Sequence, residues 1–251
     1  MQFDVTVIGG GPAGVTAALR ARELGASVAL IERDNLGGTC TNDGCVPTRV
    51  LAKAARLMRD SEQIAAYGLY ADRPTVDFRR VLARAQQDVY ELQEKKQLIA
   101  HLAEMGVTVF DEVGSASFVD PHTVEFSGQR RVESDKFILC VGGSARRLTL
   151  PGSEYTLTHS DLWKMDRLPE SIAIVGGGAT GCQIASIFNA FGSKVTLLDV
   201  APRLLIAEDS LVSQVIEAQF RLHGIEIITG IDGLTHVENQ NGQRHLHYTH
   251  N

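Results

Sequence analysis

"DVTVIGGGPAGVTAALRARELGASVALIERD", residues 4–34, has a partner further along the chain: "SIAIVGGGATGCQIASIFNAFGSKVTLLDVA", residues 171–201. The two align without a gap at a constant offset of 167 residues. Gly9, Gly11 and Gly14 fall on Gly176, Gly178 and Gly181, Gly25 falls on Gly192, and Glu32 falls on Asp199. Each copy opens with a short β-branched run, the signature of a buried parallel strand. G-x-G-x-x-G follows, then an Ala-rich helix, a glycine stop and a second strand ending in an acid.

That order is what dinucleotide binding requires. The first glycine makes the tight turn, the second lets the backbone approach a pyrophosphate, and the third lets the helix pack close to the strand. The helix start offers free N–H groups and the positive end of its dipole to the phosphates. The carboxylate, 18 residues after the last glycine in both copies, is spaced to accept hydrogen bonds from ribose hydroxyls. A lone G-x-G-x-x-G is weak, because glycine turns are common. Here both copies carry the strand before, the helix after and the acid at matching distance. The alternative is two glycine turns in a nucleotide-free α/β protein. The expected fold class is therefore α/β, with two Rossmann-like dinucleotide-binding domains over residues 1–150 and 151–251. Two sites imply two dinucleotides, one able to pass electrons to the other.

Between the copies, residues 47–66 and 78–104 read as long helices. The second carries Val81, Leu82, Ala85, Val89, Leu92, Leu98 and Leu102 near helical spacing, a stripe suited to packing or an oligomer surface rather than a ligand site. "GVTVF" (106–110) reads as a strand. Short strands follow in "ASFVD" and "HTVEFSGQRRVE", then an apolar strand with two glycines at its end in "KFILCVGG" (136–143). Residues 144–170, with Pro151 and Pro169, read as the connection between domains. After the second copy, "GIEIITG" (224–230) takes the role of "GVTVF", and residues 234–250 read as a hairpin turning at Asn241–Gly242. The counterpart of "KFILCVGG" is not reached by Asn251. The second domain is therefore expected to lack its closing strand, and the chain to be part of a longer protein.

The balance of 24 Lys+Arg against 30 Asp+Glu gives a net charge of −6, which argues against a nucleic-acid or anionic-membrane surface. No apolar run approaches the roughly 20 residues of a membrane helix, and "MQFDVTVIGG" has no basic n-region or cleavage site. A cytoplasmic location follows as an expectation.

The four cysteines are Cys40, Cys45, Cys140 and Cys182, too few for a disulfide scaffold at this length. Cys40 and Cys45 lie just after the acid strand of the first copy. With no secretion signal, a close pair points to catalysis or metal binding. Cys45 sits near a helix opened by Pro47, a position that favours thiolate. A redox pair, part of a zinc site and two inert thiols remain open, although zinc wants four Cys/His ligands and no His lies nearby. Cys140 and Cys182 read as structural.

"GGTCTNDGCVPTRVL" (37–51) resembles the redox signature of the class I pyridine nucleotide-disulfide oxidoreductases, which include dihydrolipoamide dehydrogenase, glutathione reductase and mercuric reductase. "VIGGGPAG", "KFILCVGGSARRLTLPG", "THSDLW" and "VGGGATG" are similar to the family in order and spacing. The resemblance implies two Rossmann-like FAD/NAD(P)-binding domains of three-layer ββα type, the second incomplete, in an FAD- and NAD(P)-dependent oxidoreductase acting on a sulfur group. FAD would be held by Gly9, Gly11, Pro12, Ala13, Gly14, Glu32, Arg33, Gly38, Thr39, Ala116, Val141 and Gly142, with Arg49 beside the flavin. NAD would be held by Gly176, Gly178, Gly181 and Asp199. It further implies a Cys40–Cys45 disulfide, with Cys45 the charge-transfer thiol and Cys40 the interchange thiol. The acceptor would be a small-molecule disulfide or, in a mercuric-reductase-like alternative, a metal ion, and the full-length parent would be a homodimer. A flavin-binding remnant without turnover is the rival reading.

Two positions depart from the family. Arg49 stands where Lys is usual and Gln183 where Glu is usual, which implies a retuned flavin site, since Arg keeps the charge and can donate to a neutral partner. The family's acid/base histidine has no counterpart among the eight His. His245, His247 and His250 in "HLHYTH" could place two imidazoles on one strand face, but read as a strand end rather than a metal site. Asp199 favours NAD over NADP, because a carboxylate repels a 2′-phosphate by roughly 1–4 kcal/mol at contact distance. Arg203, close by in sequence, works against this.

Overall fold

Both repeats fold as strand, glycine turn, helix, strand. The computed structural model describes residues 1–250. In the first repeat β1 (Gln2–Ile8) leads through the turn into α1 (Pro12–Glu23) and β2 (Val28–Ile31). Gly11 caps α1 in an extended conformation and Pro12 follows at the first helical position, where its fixed φ and missing N–H cost nothing. In the second repeat β7 (Ser171–Val175), α6 (Ala179–Phe191) and β8 (Lys194–Asp199) follow the same path, capped by Gly178.

The segment between them contains α2 (Gly38–Asn42), α3 (Cys45–Gln63), α4 (Phe78–Lys96), α5 (Leu98–Glu104), β3 (Val107–Phe110), β4 (Ser117–Asp120), β5 (Thr123–Phe126) and β6 (Arg130–Leu139). Three expectations shift. α3 begins at Cys45, two residues ahead of Pro47. The helix expected over 78–104 is broken at Gln97, whose φ of 44° lies in the left-handed region. The strands expected in "QRRVE" and "KFIL" are one ten-residue strand, β6, because a single strand has partners on both edges. It pairs antiparallel with β5 over Arg130–Glu133 and parallel with β1 from Glu133 to Leu139.

The six strands order as β3-β2-β1-β6-β5-β4. Val7, Ala18, Val28, Leu30, Leu36, Leu102 and Val107 form a core on the α1 and α5 side. Ala29, Ile31, Phe110, Val113, Val124, Phe126 and Val132 form the other. Phe110 of β3 and Phe126 of β5 lie four strands apart in the sheet order, yet their rings are 5.2 Å apart. The meander β4–β6 therefore curls back over the parallel strands, which gives the expected ββα layering.

The chain divides into two compact units that interleave: residues 1–48 with 85–144, and residues 49–84 with those from 145 on. The sequence suggests one cut at residue 150. The structure places most of α3 and the first turns of α4 with the second repeat, because their apolar faces pack there. Leu51, Ala55, Met58, Phe78 and Leu82 share a buried cluster with Ala185, Ile187, Phe188 and Phe191 of α6. The Phe78 ring lies 6.0 Å from that of Phe188, and the Arg59 guanidinium donates to the Ser186 carbonyl and hydroxyl.

The second unit continues with α7 (Ser210–Leu222), β9 (Glu226–Thr229), β10 (Gly233–Gln240) and β11 (Gln243–Thr249). Its parallel sheet runs β7-β8-β9, and β10 and β11 form the expected hairpin. Asn241 and Gly242 have φ of 51° and 84°, the two positive values a two-residue primed turn requires. No helix among the described residues is long and apolar enough to cross a membrane.

Candidate dinucleotide sites and cysteine pair

The geometry of the first turn assigns each glycine a different reason for being glycine. Gly9 has φ +107°, and a Cβ there would lie 2.2 Å from the Cys140 carbonyl oxygen. At Gly14 a Cβ would lie 1.7 Å from the Gly9 carbonyl oxygen, so helix and strand meet only because no side chain intervenes. Gly11 is different. Its φ is −74° and ψ −177°, ordinary extended backbone, and a Cβ would meet its nearest neighbour, the Gly38 Cα, at a comfortable 3.6 Å. The fold does not demand glycine at position 11.

The second turn repeats this. Gly176 has φ +108°, a Cβ on Gly181 would sit 1.8 Å from the Gly176 carbonyl oxygen, and Gly178 has φ −74° with nothing within 4 Å of its hypothetical Cβ. At both middle positions backbone and space would admit alanine. What a side chain would obstruct is close approach from outside to the N-terminus of α1 or α6, the place where a pyrophosphate binds. Both turns thus leave a helix N-terminus open to a pyrophosphate.

The acids hold their own turns. Glu32 Oε2 accepts from the Gly10 N–H at 2.6 Å and Oε1 from the Asp34 N–H at 2.8 Å. Asp199 repeats both bonds, from the Gly177 N–H and, at 2.8 Å, from the Ala201 N–H. Each carboxylate thus clamps its own glycine turn as well as ending its strand. The repeat also extends past the gapless alignment. Gly37 donates its N–H to the Gly10 carbonyl at 3.0 Å, and Leu205 to that of Gly177 at 2.8 Å. Leu36 and Leu204 close over Gly10 and Gly177 respectively. One inserted residue hides this correspondence in the sequence.

Around the first turn the remaining expected residues assemble. The Gly37 bond holds Gly38 against Gly11, Thr39 follows at the exposed surface, and Cys140 brings Val141 beside Gly9, with Gly142 next in the chain. Gly114 donates its N–H to the Arg33 carbonyl at 3.0 Å, which sets the segment leading to Ala116 beside the acid strand. Pro12 and Ala13 are exposed on the first turn of α1. Arg49 and Gln183 are both exposed, and the structure shows no hydrogen bond between them.

Cys40 lies in α2 and Cys45 opens α3, with only Asp43 and Gly44 between the helices. Gly44 lets the chain turn tightly, since a Cβ there would be 3.0 Å from the Thr39 carbonyl oxygen and 3.5 Å from the Cys40 Cα. Both cysteines are exposed thiols in this structure. Cys182 is the opposite case. It is buried in α6, its sulfur donates to the Gly177 carbonyl, and burial, followed by the nearby Asp199 and Glu217 carboxylates, pushes its thiol up to about 11. That is an inert structural thiol, as expected.

Arg203 answers a question the sequence leaves open. Its guanidinium donates to the carbonyls of Leu205, Ile206 and Glu208 and to the Ser213 hydroxyl. It is committed to the loop after β8. Asp111 is a residue the sequence reading passes over. It follows β3 beside Glu32, one of its carboxylate oxygens is buried without a partner, and its carboxyl is raised above the usual range, first by burial and then by the Glu112 and Glu32 charges.

The sequence pattern described as pyridine nucleotide-disulphide oxidoreductase matches residues 3–249, and the chain belongs to that family. Its members use FAD and NAD(P)H. The chain is 33% identical over 232 residues to dihydrolipoyl dehydrogenase from Zymomonas mobilis, covering 91% of this chain and 49% of the relative. It is 33% identical to glutathione reductase from Nostoc sp. (90% and 48% covered) and 31% identical to mercuric reductase from Lysinibacillus sphaericus (91% and 42%). Among solved structures, the Cu(II) complex of the HOCl-induced flavoprotein disulfide reductase RclA from Escherichia coli superposes with a TM-score of 0.83 at 30% identity, over 100% of this chain and 54% of that one. The chain spans about half the length of the curated relatives it matches.

Proposed function

We propose that the first glycine turn seats FAD, that the second seats NAD, and that Cys40 and Cys45 form the redox pair of an NADH-driven disulfide oxidoreductase of the dihydrolipoamide dehydrogenase type. The observation that carries this reading is the pair Gly11 and Gly178. Both are glycine where the fold has room for a side chain, and both cap a helix whose free N–H groups suit a pyrophosphate.

Gly9, Gly11, Pro12, Ala13 and Gly14 hold the FAD pyrophosphate at the start of α1. Glu32 and Arg33 serve its ribose side, and Gly38, Thr39, Ala116, Val141 and Gly142 complete the cradle. Gly176, Gly178, Gly181 and Asp199 hold NAD, and Arg49 supplies positive charge beside the flavin. The bound flavin supplies a two-electron relay from NADH to sulfur. The chain's own part is then thiol chemistry. Two electrons and two protons open the Cys40–Cys45 bond to two thiols. The Cys40 thiolate attacks an acceptor disulfide, releasing one acceptor thiol, and Cys45 displaces the second from the mixed disulfide, which restores the bridge. The exposure of both sulfurs supports exchange with a small acceptor. Asp199, together with an Arg203 already committed to its own loop, supports NAD over NADP. In the whole protein we infer a cytoplasmic homodimer with a small-molecule disulfide as acceptor, and a metal ion as the alternative acceptor.

The half-reaction tests this chain directly. Oxidised, FAD-loaded protein is mixed anaerobically with NADH and its maleimide-reactive thiols are counted. The proposal expects two new thiols per chain, and none in Cys45→Ser. A thiol count that NADH leaves unchanged overturns it.

A further inference from the structure

We propose that the β10–β11 hairpin binds one late first-row divalent cation of the zinc class through His236, Glu238 and His247. The hairpin register sets His236 directly across from His247, and alternation along β10 puts Glu238 on the same face. The two imidazoles stack with centroids 4.0 Å apart and planes 7° apart. Both Nε2 atoms turn to one carboxylate oxygen, Glu238 Oε1, at 2.9 Å from His236 and 3.7 Å from His247. The three potential ligand atoms all lie within 4.8 Å of one another.

Those spacings suit a metal. Two ligand atoms each about 2.1 Å from zinc at a tetrahedral angle stand about 3.4 Å apart, so turning the two rings out of their parallel stack, to aim both Nε2 lone pairs at one point, would close the site. Two imidazoles and one carboxylate on one side of an ion is a donor set that late divalent metals accept, with open positions left for water.

The supporting contacts are those a metal site uses. Ligating histidines are usually oriented by a hydrogen bond at the other ring nitrogen. Here the Thr235 hydroxyl lies 3.0 Å from His236 Nδ1. A register shift between Leu234 and His236 marks a bulge at Thr235, the device that re-aims a side chain locally. The second oxygen of Glu238 is held by the Gln240 amide. The hairpin itself is pinned from its other face. Val237 is buried and donates its N–H to the Pro151 carbonyl at 2.9 Å, and the Arg244 guanidinium lies 5.2 Å from the Tyr155 ring centroid. The ligands are therefore mounted on a fixed backbone and need no folding step to meet.

Zn²⁺ titrated into the whole chain, with its cysteine thiols blocked by iodoacetamide so that sulfur cannot compete, should bind at one equivalent. His247→Ala and Glu238→Gln should each weaken binding by more than about tenfold. In the unmutated protein the imidazole proton resonances of His236 and His247 should shift with Zn²⁺ while those of His101 and His122 stay in place, a readout that does not depend on any variant folding. No uptake by the thiol-blocked protein, uptake unchanged in His247→Ala, or resonance shifts confined to other histidines would overturn the proposal.

Discussion

The two glycine turns share their backbone almost to the degree, with φ of +107° at Gly9 and +108° at Gly176, yet their surroundings differ. The first turn is enclosed. β6 lies along β1, Cys140 donates its N–H to the Ile8 carbonyl at 2.8 Å, and the Cys140 carbonyl presses on Gly9. The second has β8 on one side of β7 and, among the described residues, nothing within 4 Å of where a Gly176 Cβ would stand. The same 31-residue pattern thus yields two turns held alike by an acid clamp and a loop N–H, of which the first is also packed against β6. Local sequence sets the turn, and a distant strand sets how firmly it is held.

The largest effects should fall where the turns are alike. Gly14→Ala and Gly181→Ala each drive a Cβ into a backbone carbonyl, and each should cost about 3 kcal/mol or more. Urea unfolding checks this, with Trp163, the only tryptophan, reporting the second unit and hydrogen exchange in β1 and β2 reporting the first. A mild effect at either position would break the claim that helix and strand meet there only through glycine.

The sharpest contrast comes next. Gly9→Ala and Gly176→Ala both incur backbone strain of about 1–3 kcal/mol. Only the first adds a collision with Cys140, so Gly9→Ala should exceed Gly176→Ala by about 1–2 kcal/mol in the same unfolding experiment. Equal losses would show that the enclosure by β6 does not bear on the turn.

The acid clamps should again behave alike. Glu32→Gln and Asp199→Asn each weaken a charge-assisted bond to a turn N–H, and each should destabilise by about 1 kcal/mol. The smallest effect concerns Asp111, present beside the first turn only. Its folded carboxyl is raised above its unfolded value, so the charged form opposes folding. The penalty is absent below the ordinary carboxylate range, grows as pH rises through it, and levels off above the folded value. Asp111→Asn should therefore stabilise the protein at neutral pH by a few tenths of a kcal/mol after solvent screening, and the gain should vanish in acid. Stability curves at several pH values read it.

Much of this was legible in the sequence because it rests on local periodicity. The repeat, its strands and helices, the hairpin turn at Asn241–Gly242 and the glycine roles all follow from spacing. What escaped depends on packing or on conformations that composition does not announce. "KKQLIA" contains neither Pro nor Gly, so the break at Gln97 leaves no mark. α2 is five residues of Gly, Thr, Cys and Asn, poor helix formers, and begins after Gly37 at φ 111°. α7 did leave a signal, since Asp209 caps it by accepting from the Leu211 N–H at 2.8 Å. The grouping of α3 and the start of α4 with the second repeat depends on Leu51, Ala55 and Phe78 sharing a buried cluster with Phe188, which no pattern in these segments encodes. Likewise "HLHYTH" reads as a strand end with two imidazoles among His245, His247 and His250 on one face, whereas the cross-strand register gathers His247 with His236 and Glu238.

The central claim is that the first turn takes FAD and the second the nicotinamide dinucleotide, each through a glycine the fold itself does not need. Gly11→Val and Gly178→Val test it most directly, because both positions have ordinary backbone and room for a Cβ, so both proteins should fold. Flavin released on denaturation, counted per chain, should be one for the unmutated protein, one for Gly178→Val and none for Gly11→Val. Flavin retained by folded Gly11→Val, or lost from folded Gly178→Val, would contradict the account.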